Sequence, residues 1–502
     1  GHSTVGTLSS ATYNTALGIG AMDAITQGDY NTAIGYNSAT TLTTGVNNTL
    51  VGALSGDALT SGQENVVVGY AALSSEDGHG KNVAVGAYTL NALNAGADAY
   101  NVAVGYQAGY AVSTGVQNTL VGGNAGDALT VGQHNVAVGF EALSASVDGD
   151  KNVAVGRRAL KVYEDGDGNG HNTAIGSNSM ENTTTGEFNT AVGSQTVAGG
   201  VMTGDYNVMM GYSAGHNITS GARNTIIGGN AGDALTTGVD SVAVGHNALG
   251  ALTIGHNNVA VGKDALATSV DGDYNVAVGY EALKTYEDGD GNGFNTAIGA
   301  KAMKHATTAE YNTSLGYNAL GNATMTGDSN VAVGYAAGME MTSGVNNVLI
   351  GRGAGDAITT GDQNIAIGHL ALSQEDSGNN STAIGYYALY NQNNDSDNYN
   401  VAVGHSAGQS ITTGTLNTLV GAFAGDALVT GAYNTAVGYE ALSTEDGHST
   451  NTAIGYQTLK TQNAGADAYN VAVGHQAGLL VSTGVNNTIV GGLAGDALTT
   501  GE

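Results

Sequence analysis

The 502-residue sequence has no cysteine, no proline and no tryptophan, and only four phenylalanines. Without cysteine there is no disulfide framework and no thiolate nucleophile, an absence compatible with an extracellular location without establishing one. Without proline, and with 81 glycines that follow no Gly-X-Y triplet, a collagen-like chain is excluded. Positive charge is scarce as well: 12 Lys and Arg stand against 42 Asp and Glu, a net charge of −30. Nucleic acid and anionic membrane surfaces are therefore poor partners, whereas cations are plausible ones. No run of about 18 apolar residues exists to insert into a membrane, and no charged-then-apolar leader opens the chain. The regular spacing of aliphatic residues argues against disorder.

What the sequence does have is one word, Asn101-Val102-Ala103-Val104-Gly105, which returns 28 times between Asn14 and Asn487. The first place is Asn except at Ser241 and Ser381, the second is Thr, Val or Ile, the third is mostly Ala, the fourth is aliphatic or Met, and the fifth is Gly. Side chains alternate in extended chain, so places two and four share one face and place three takes the other. Each word reads as a short strand of β-branched residues ended by a glycine at a tight corner. Asn14, Asn31, Asn48, Asn65 and Asn82 stand 17 apart, and most later intervals match. A fixed short period signals a repeat architecture, and glycine in every period breaks any long helix. The chain is expected to be an all-β parallel β-solenoid of about 28 coils, running as one continuous repeat rod through residues 1–502.

Within each period a second apolar pair leads to a Thr/Ser-Gly turn such as Thr44-Gly45, which gives two short strands and two corners per coil. The interval lengthens after Asn82, Asn152, Asn189, Asn275, Asn312, Ser381 and Asn451, in acidic or Asn/Gly-rich text read as loops leaving one corner. Longer blocks recur too. Asn48 to Gln117 is nearly rewritten as Asn417 to Asn486, and Ser146 to Gly170 as Ser269 to Gly293. Growth by copied coils changes length and valency without requiring a new active site. Gly1-His2-Ser3 aligns with Gly404-His405-Ser406, inside a repeat, so a slice of a longer fibre is expected.

These words, Asn-Thr/Val-Ala-Ile/Val-Gly separated by Ala-Leu and Thr-Thr-Gly, resemble the head repeats of trimeric autotransporter adhesins and related repeats of phage tail fibres. The resemblance covers almost the whole chain. It implies a left-handed parallel β-roll, three chains side by side as a homotrimer, and attachment to a surface.

On the residues alone, places two and four, as in Val83 and Val85, are expected to fill the coil's own core. Ala84, Ala103, Ala137 and Ala260 then face the other way, and an exposed face kept small implies an oligomer interface; packing on the coil's own opposite strand is the alternative. The Asn column, including Asn31, Asn48, Asn65, Asn82, Asn101, Asn118 and Asn135, is expected to form a structural amide ladder from coil to coil. Tyr70, Tyr106, Tyr280 and Tyr439 follow strand glycines and are candidates for holding a cell-surface glycan or protein receptor; the plain reading is that each tyrosine covers its neighbour's corner. Asp165, Asp167 and Asn169, with Asp288, Asp290 and Asn292, match the first half of an EF-hand loop but lack its bidentate Glu, so calcium is the one cofactor considered and a solvated turn the alternative. His79 and His448 sit in acidic turns without metal-ligand spacing. Nothing in the sequence spells a phosphate loop or a facing carboxylate pair, so no catalytic residue is assigned and no enzyme is expected. The functional expectation is a structural fibre at the cell exterior or virion surface for host attachment, a phage tail fibre shaft first. A bacterial adhesin or extracellular filament is the alternative, followed by an ice-binding solenoid and a polysaccharide-degrading tailspike.

Overall fold

The structure is a computed structural model that describes residues 10–164, 169–287 and 292–501. Every strand in it is a three-residue segment at places two to four of the repeated word. The chain forms two compact units, Gly1–Ile254 and Gly255–Glu502. The first carries β1 (Thr15–Leu17) to β14 (Val242–Val244), and the second β15 (Val259–Val261) to β28 (Thr488–Val490). Each unit is an all-β parallel β-solenoid of 14 coils, and no helix occurs among the described residues.

Strands pair in parallel with like places opposite like: Thr15 to Thr32, Ala16 to Ala33, Leu17 to Ile34. The long intervals do not disturb this register. Ala84 of β5 (Val83–Val85) still faces Ala103 of β6 (Val102–Val104) across 19 residues, and Ala277 of β16 (Val276–Val278) faces Ala297 of β17 (Thr296–Ile298) across 20. Additional residues leave at a corner, as expected, because the next strand re-enters the same hydrogen-bond ladder: Val102 N–H donates to Asn118 O at 2.8 Å and Gly105 N–H to Val85 O at 2.8 Å. The fifth-place glycine is obligatory for two reasons. Gly105 has φ +143°, and a Cβ there would stand 2.3 Å from Gly122 O of the next coil, closer than any side chain tolerates.

The two faces of the strand are the reverse of the sequence expectation. Ala84, Ala103, Ala137 and Ala260 are wholly buried inside their own coil, so they form no interface with another chain. Places two and four point outward: Val66, Val68, Val102 and Val104 are 36–41% exposed. The reason alanine is small lies across the coil. Six residues after place three the chain returns to the interior, and Ala137 is followed there by Leu143, Ala154 by Leu160 and Ala277 by Leu283, all buried. Where place three is Leu or Met the partner is glycine, as in Leu50 and Gly56, Leu120 and Gly126, Met209 and Gly215, Leu349 and Gly355, and Leu419 and Gly425; the smaller Val67 is followed by buried Leu73. A Cβ at Gly56 would lie 2.8 Å from Leu50 Cδ2, and one at Gly425 2.8 Å from Leu419 Cδ2. Where both places are small, adjacent coils fill the space: Gly109 stands under Leu120 and over Leu90. These two places mostly share room for one large side chain, at close-packed density, while a further interior place holds another, such as Leu59 or Leu129.

Candidate functional site

The Asn ladder is the first constellation to take shape. Asn31 N–H donates to Asn14 Oδ1 at 2.8 Å, and the pattern continues through Asn48, Asn65, Asn82, Asn101, Asn118 and Asn135 at 2.9–3.1 Å. The repeating bond runs from backbone N–H to side-chain oxygen, not only from amide to amide. The amide nitrogen closes the coil instead, with Asn101 Nδ2 donating to Gly115 O at 2.9 Å and Asn118 Nδ2 to Gly132 O at 2.9 Å. Both functions need a primary amide, one acceptor and one donor on a short stem. Ser241 and Ser381 still keep the backbone half of the ladder, their N–H groups donating to Asn224 Oδ1 and Asn364 Oδ1 at 3.0 Å.

The Thr-rich corners use their hydroxyls internally: Thr43 Oγ1 donates to Thr60 O at 3.0 Å, Thr219 to Thr236 O at 3.1 Å and Thr342 to Thr359 O at 2.9 Å.

Tyr70, Tyr106, Tyr280 and Tyr439 are 42–57% exposed at the corner after the strand glycine. Tyr70 and Tyr106 both pack edge-on against Tyr88, with centroids at 5.3 and 6.4 Å. Lys263 Nζ lies 5.8 Å above the ring of Tyr280, within the range of a cation–π contact. Tyr439 belongs to a longer column. In the second unit Tyr317 stacks on Tyr335 at 5.5 Å, Arg352 covers Tyr335 at 5.9 Å, and Arg352 Nη1 meets His369 Nε2 at 3.1 Å. His369, Tyr386 and His405 then follow at 5.0 Å steps, His405 meets Phe423 at 5.2 Å, and Tyr439, Tyr456 and His475 complete ten successive coils. The step is the coil rise, so in-register stacking alone brings the rings into contact. Phe423 was not visible in the sequence column because it stands one place late, beside Ala422, and turns back into the row.

Carboxylates occupy three environments. Glu281 bridges Lys284 at 2.8 Å and Lys304 at 2.9 Å, and hydrogen bonds from both lysines bring its carboxyl down to about 2. Asp57, Asp127, Asp233, Asp356 and Asp426 recur in Gly-Asp-Ala turns, where burial raises each carboxyl, Asp426 to about 6. Glu76, Glu375 and Glu445 stand in the interior where neighbouring coils place Leu59, Ile358 and Leu428, and all three are wholly buried. Each caps the turn that follows it, accepting the N–H of His79 at 3.1 Å, Gly378 at 2.8 Å and His448 at 3.1 Å.

Of the EF-hand-like loops, Asp165, Asp167, Asp288 and Asp290 lie outside the described residues. Asn169 O accepts a bond from the buried Tyr163 hydroxyl at 3.0 Å, and Asn292 pairs with Asp273 as a parallel bridge. The clusters with metal-ligating geometry are elsewhere. Glu76, Asp77 and His79, and again Glu445, Asp446 and His448, each bring three ligand atoms within 4.8 Å of one another. The spacing Glu-Asp-Gly-His hid them, because the turn folds residues one and four together.

No helix among the described residues is long and apolar enough to cross a membrane. No family model matches the chain, and no curated protein matches it in sequence.

Proposed function

We propose that this chain is a structural fibre for attachment to a host or cell surface, of the kind that forms a phage tail fibre shaft. The observation that carries the reading is the combination of a uniform coil with a ten-coil aromatic column at one exposed corner. Interior and ladder repeat with little change, whereas side-chain variety gathers at corners and inserted loops, where recognition residues are found on rigid scaffolds. A cell-surface glycan or protein would meet the column edge-on, because neighbouring rings already cover one another's faces and leave phenol and imidazole rims outward. Association of three copies would use the outward Val, Ile and Thr of places two and four, which leave a continuous apolar face on each unit. The reading is tested by binding the chain to intact cells and to a glycan array, alongside Tyr386→Ala and Tyr439→Ala. Binding that falls at least tenfold in these variants supports it; binding that is absent, or unchanged by them, overturns it. In the same preparation Val102→Glu with Val104→Glu should lower the oligomer mass by light scattering while the circular dichroism spectrum is kept.

A further inference from the structure

Three interior glutamates occupy equivalent places but are satisfied differently. Glu375 Oε2 accepts from Gln392 Nε2 at 2.9 Å and Asn398 Nδ2 at 3.1 Å, so both carboxylate oxygens have protein donors. Glu445 lacks this arrangement. Its neighbour Gln462 holds the place of Gln392, yet its Nε2 faces Gly484 O at 3.5 Å and its Oε1 accepts from Asn470 at 2.9 Å. Glu445 Oε2 is left buried with no donor, while Oε1 of the same carboxyl faces His448 Nδ1 at 2.6 Å and Asp446 Oδ1 lies 3.9 Å from that nitrogen. A buried carboxylate oxygen without a partner costs free energy comparable to a lost charged hydrogen bond. The earlier copy has the same geometry, with Glu76 Oε1 3.2 Å from His79 Nδ1, and its Oε2 has one distant donor, Ala95 N–H at 3.4 Å.

We propose that Glu445, Asp446 and His448, with Glu76, Asp77 and His79 as a second copy, are binding sites for a divalent transition cation of the zinc class. One imidazole and two carboxylates at these separations suit Zn²⁺, whose tetrahedral ligands lie about 3.3 Å apart at bond lengths of roughly 2.0–2.2 Å, and leave a fourth position for water. A cation here neutralises the buried carboxylate and bridges it to His448. Calcium is the poorer fit, because it seeks six or more oxygens. The partly exposed side chains of His79 and His448, at 31% and 19%, give the ion a route from solvent.

Calorimetric titration of the whole chain with Zn²⁺ in EDTA-treated buffer tests this. His79→Gln and His448→Gln are each expected to lose one equivalent relative to the unmutated chain, and the double variant two. Unchanged stoichiometry in the double variant, or no binding by the unmutated chain, overturns the proposal. Co²⁺ provides a check that needs no variant: visible ligand-field absorption that Zn²⁺ abolishes is expected, and its absence also overturns the proposal.

Discussion

At the scale of the residue, backbone conformation and the Asn column decide most of the outcome. The residue before each ladder position is left-handed, from Tyr30 at φ 59° and Asn47 at 59° to His134 at 60° and Thr450 at 72°. Asn tolerates that region and a β-branched side chain does not. Thr450→Asn should therefore stabilise by about 1 kcal/mol, read as a higher urea midpoint at unchanged slope. Asn118→Ala should cost about 2–4 kcal/mol, because it strands the N–H of Asn135 and the carbonyl of Gly132 together; a loss within 0.5 kcal/mol, as for a surface site, would contradict the ladder. The Asn column was legible in the sequence since a buried amide repeated at one period has few other uses. The direction of its bonds was not, because composition does not say whether Oδ1 meets a side chain or a backbone N–H. His79 and His448 were passed over for a similar reason: their turn brings together residues that linear spacing keeps apart.

At the scale of the element, strand, corner and period were readable, but the inside and outside of the strand were not. Three-residue strands with apolar residues on both faces carry no polar alternation to mark solvent, so Val102 and Val104 looked like core and Ala103 like surface. The signal that resolves the faces is the pairing across the coil, large with glycine and alanine with leucine, as between Leu120 and Gly126 or Ala137 and Leu143. A double-mutant cycle tests it. Ala137→Leu alone should cost about 1–3 kcal/mol by overpacking, and Leu143→Gly alone about 3–5 kcal/mol through its cavity and backbone freedom. The two together rebuild the Leu120 and Gly126 arrangement and should be more stable than the sum by at least 1 kcal/mol. Strict additivity in denaturant melts would mean the two places do not share the same space.

At the scale of the whole molecule, the net charge of −30 and the raised Gly-Asp-Ala carboxyls act in the same direction on pH. Burial lifts Asp426 from its ordinary 3.8 to about 6, so the fold favours the protonated form. Its contribution is fully present below about pH 3.8 and is lost as pH rises through about 6. Asp426→Asn should gain on the unmutated chain by up to about 2 kcal/mol between pH 4 and pH 7, the upper figure reduced because the group is only half buried. A difference that stays constant with pH would contradict this. The registered coils also have a mechanical consequence. Each coil is bound to the next through its strand, several backbone bonds at its corners and one Asn, so a pulling force applied along the chain meets successive coils in series within a unit. Coils should detach singly, each releasing about 55 Å of contour length for 17 residues drawn straight, and the force trace of one molecule would be a saw-tooth of nearly equal teeth, lengthened only where a coil carries an inserted loop.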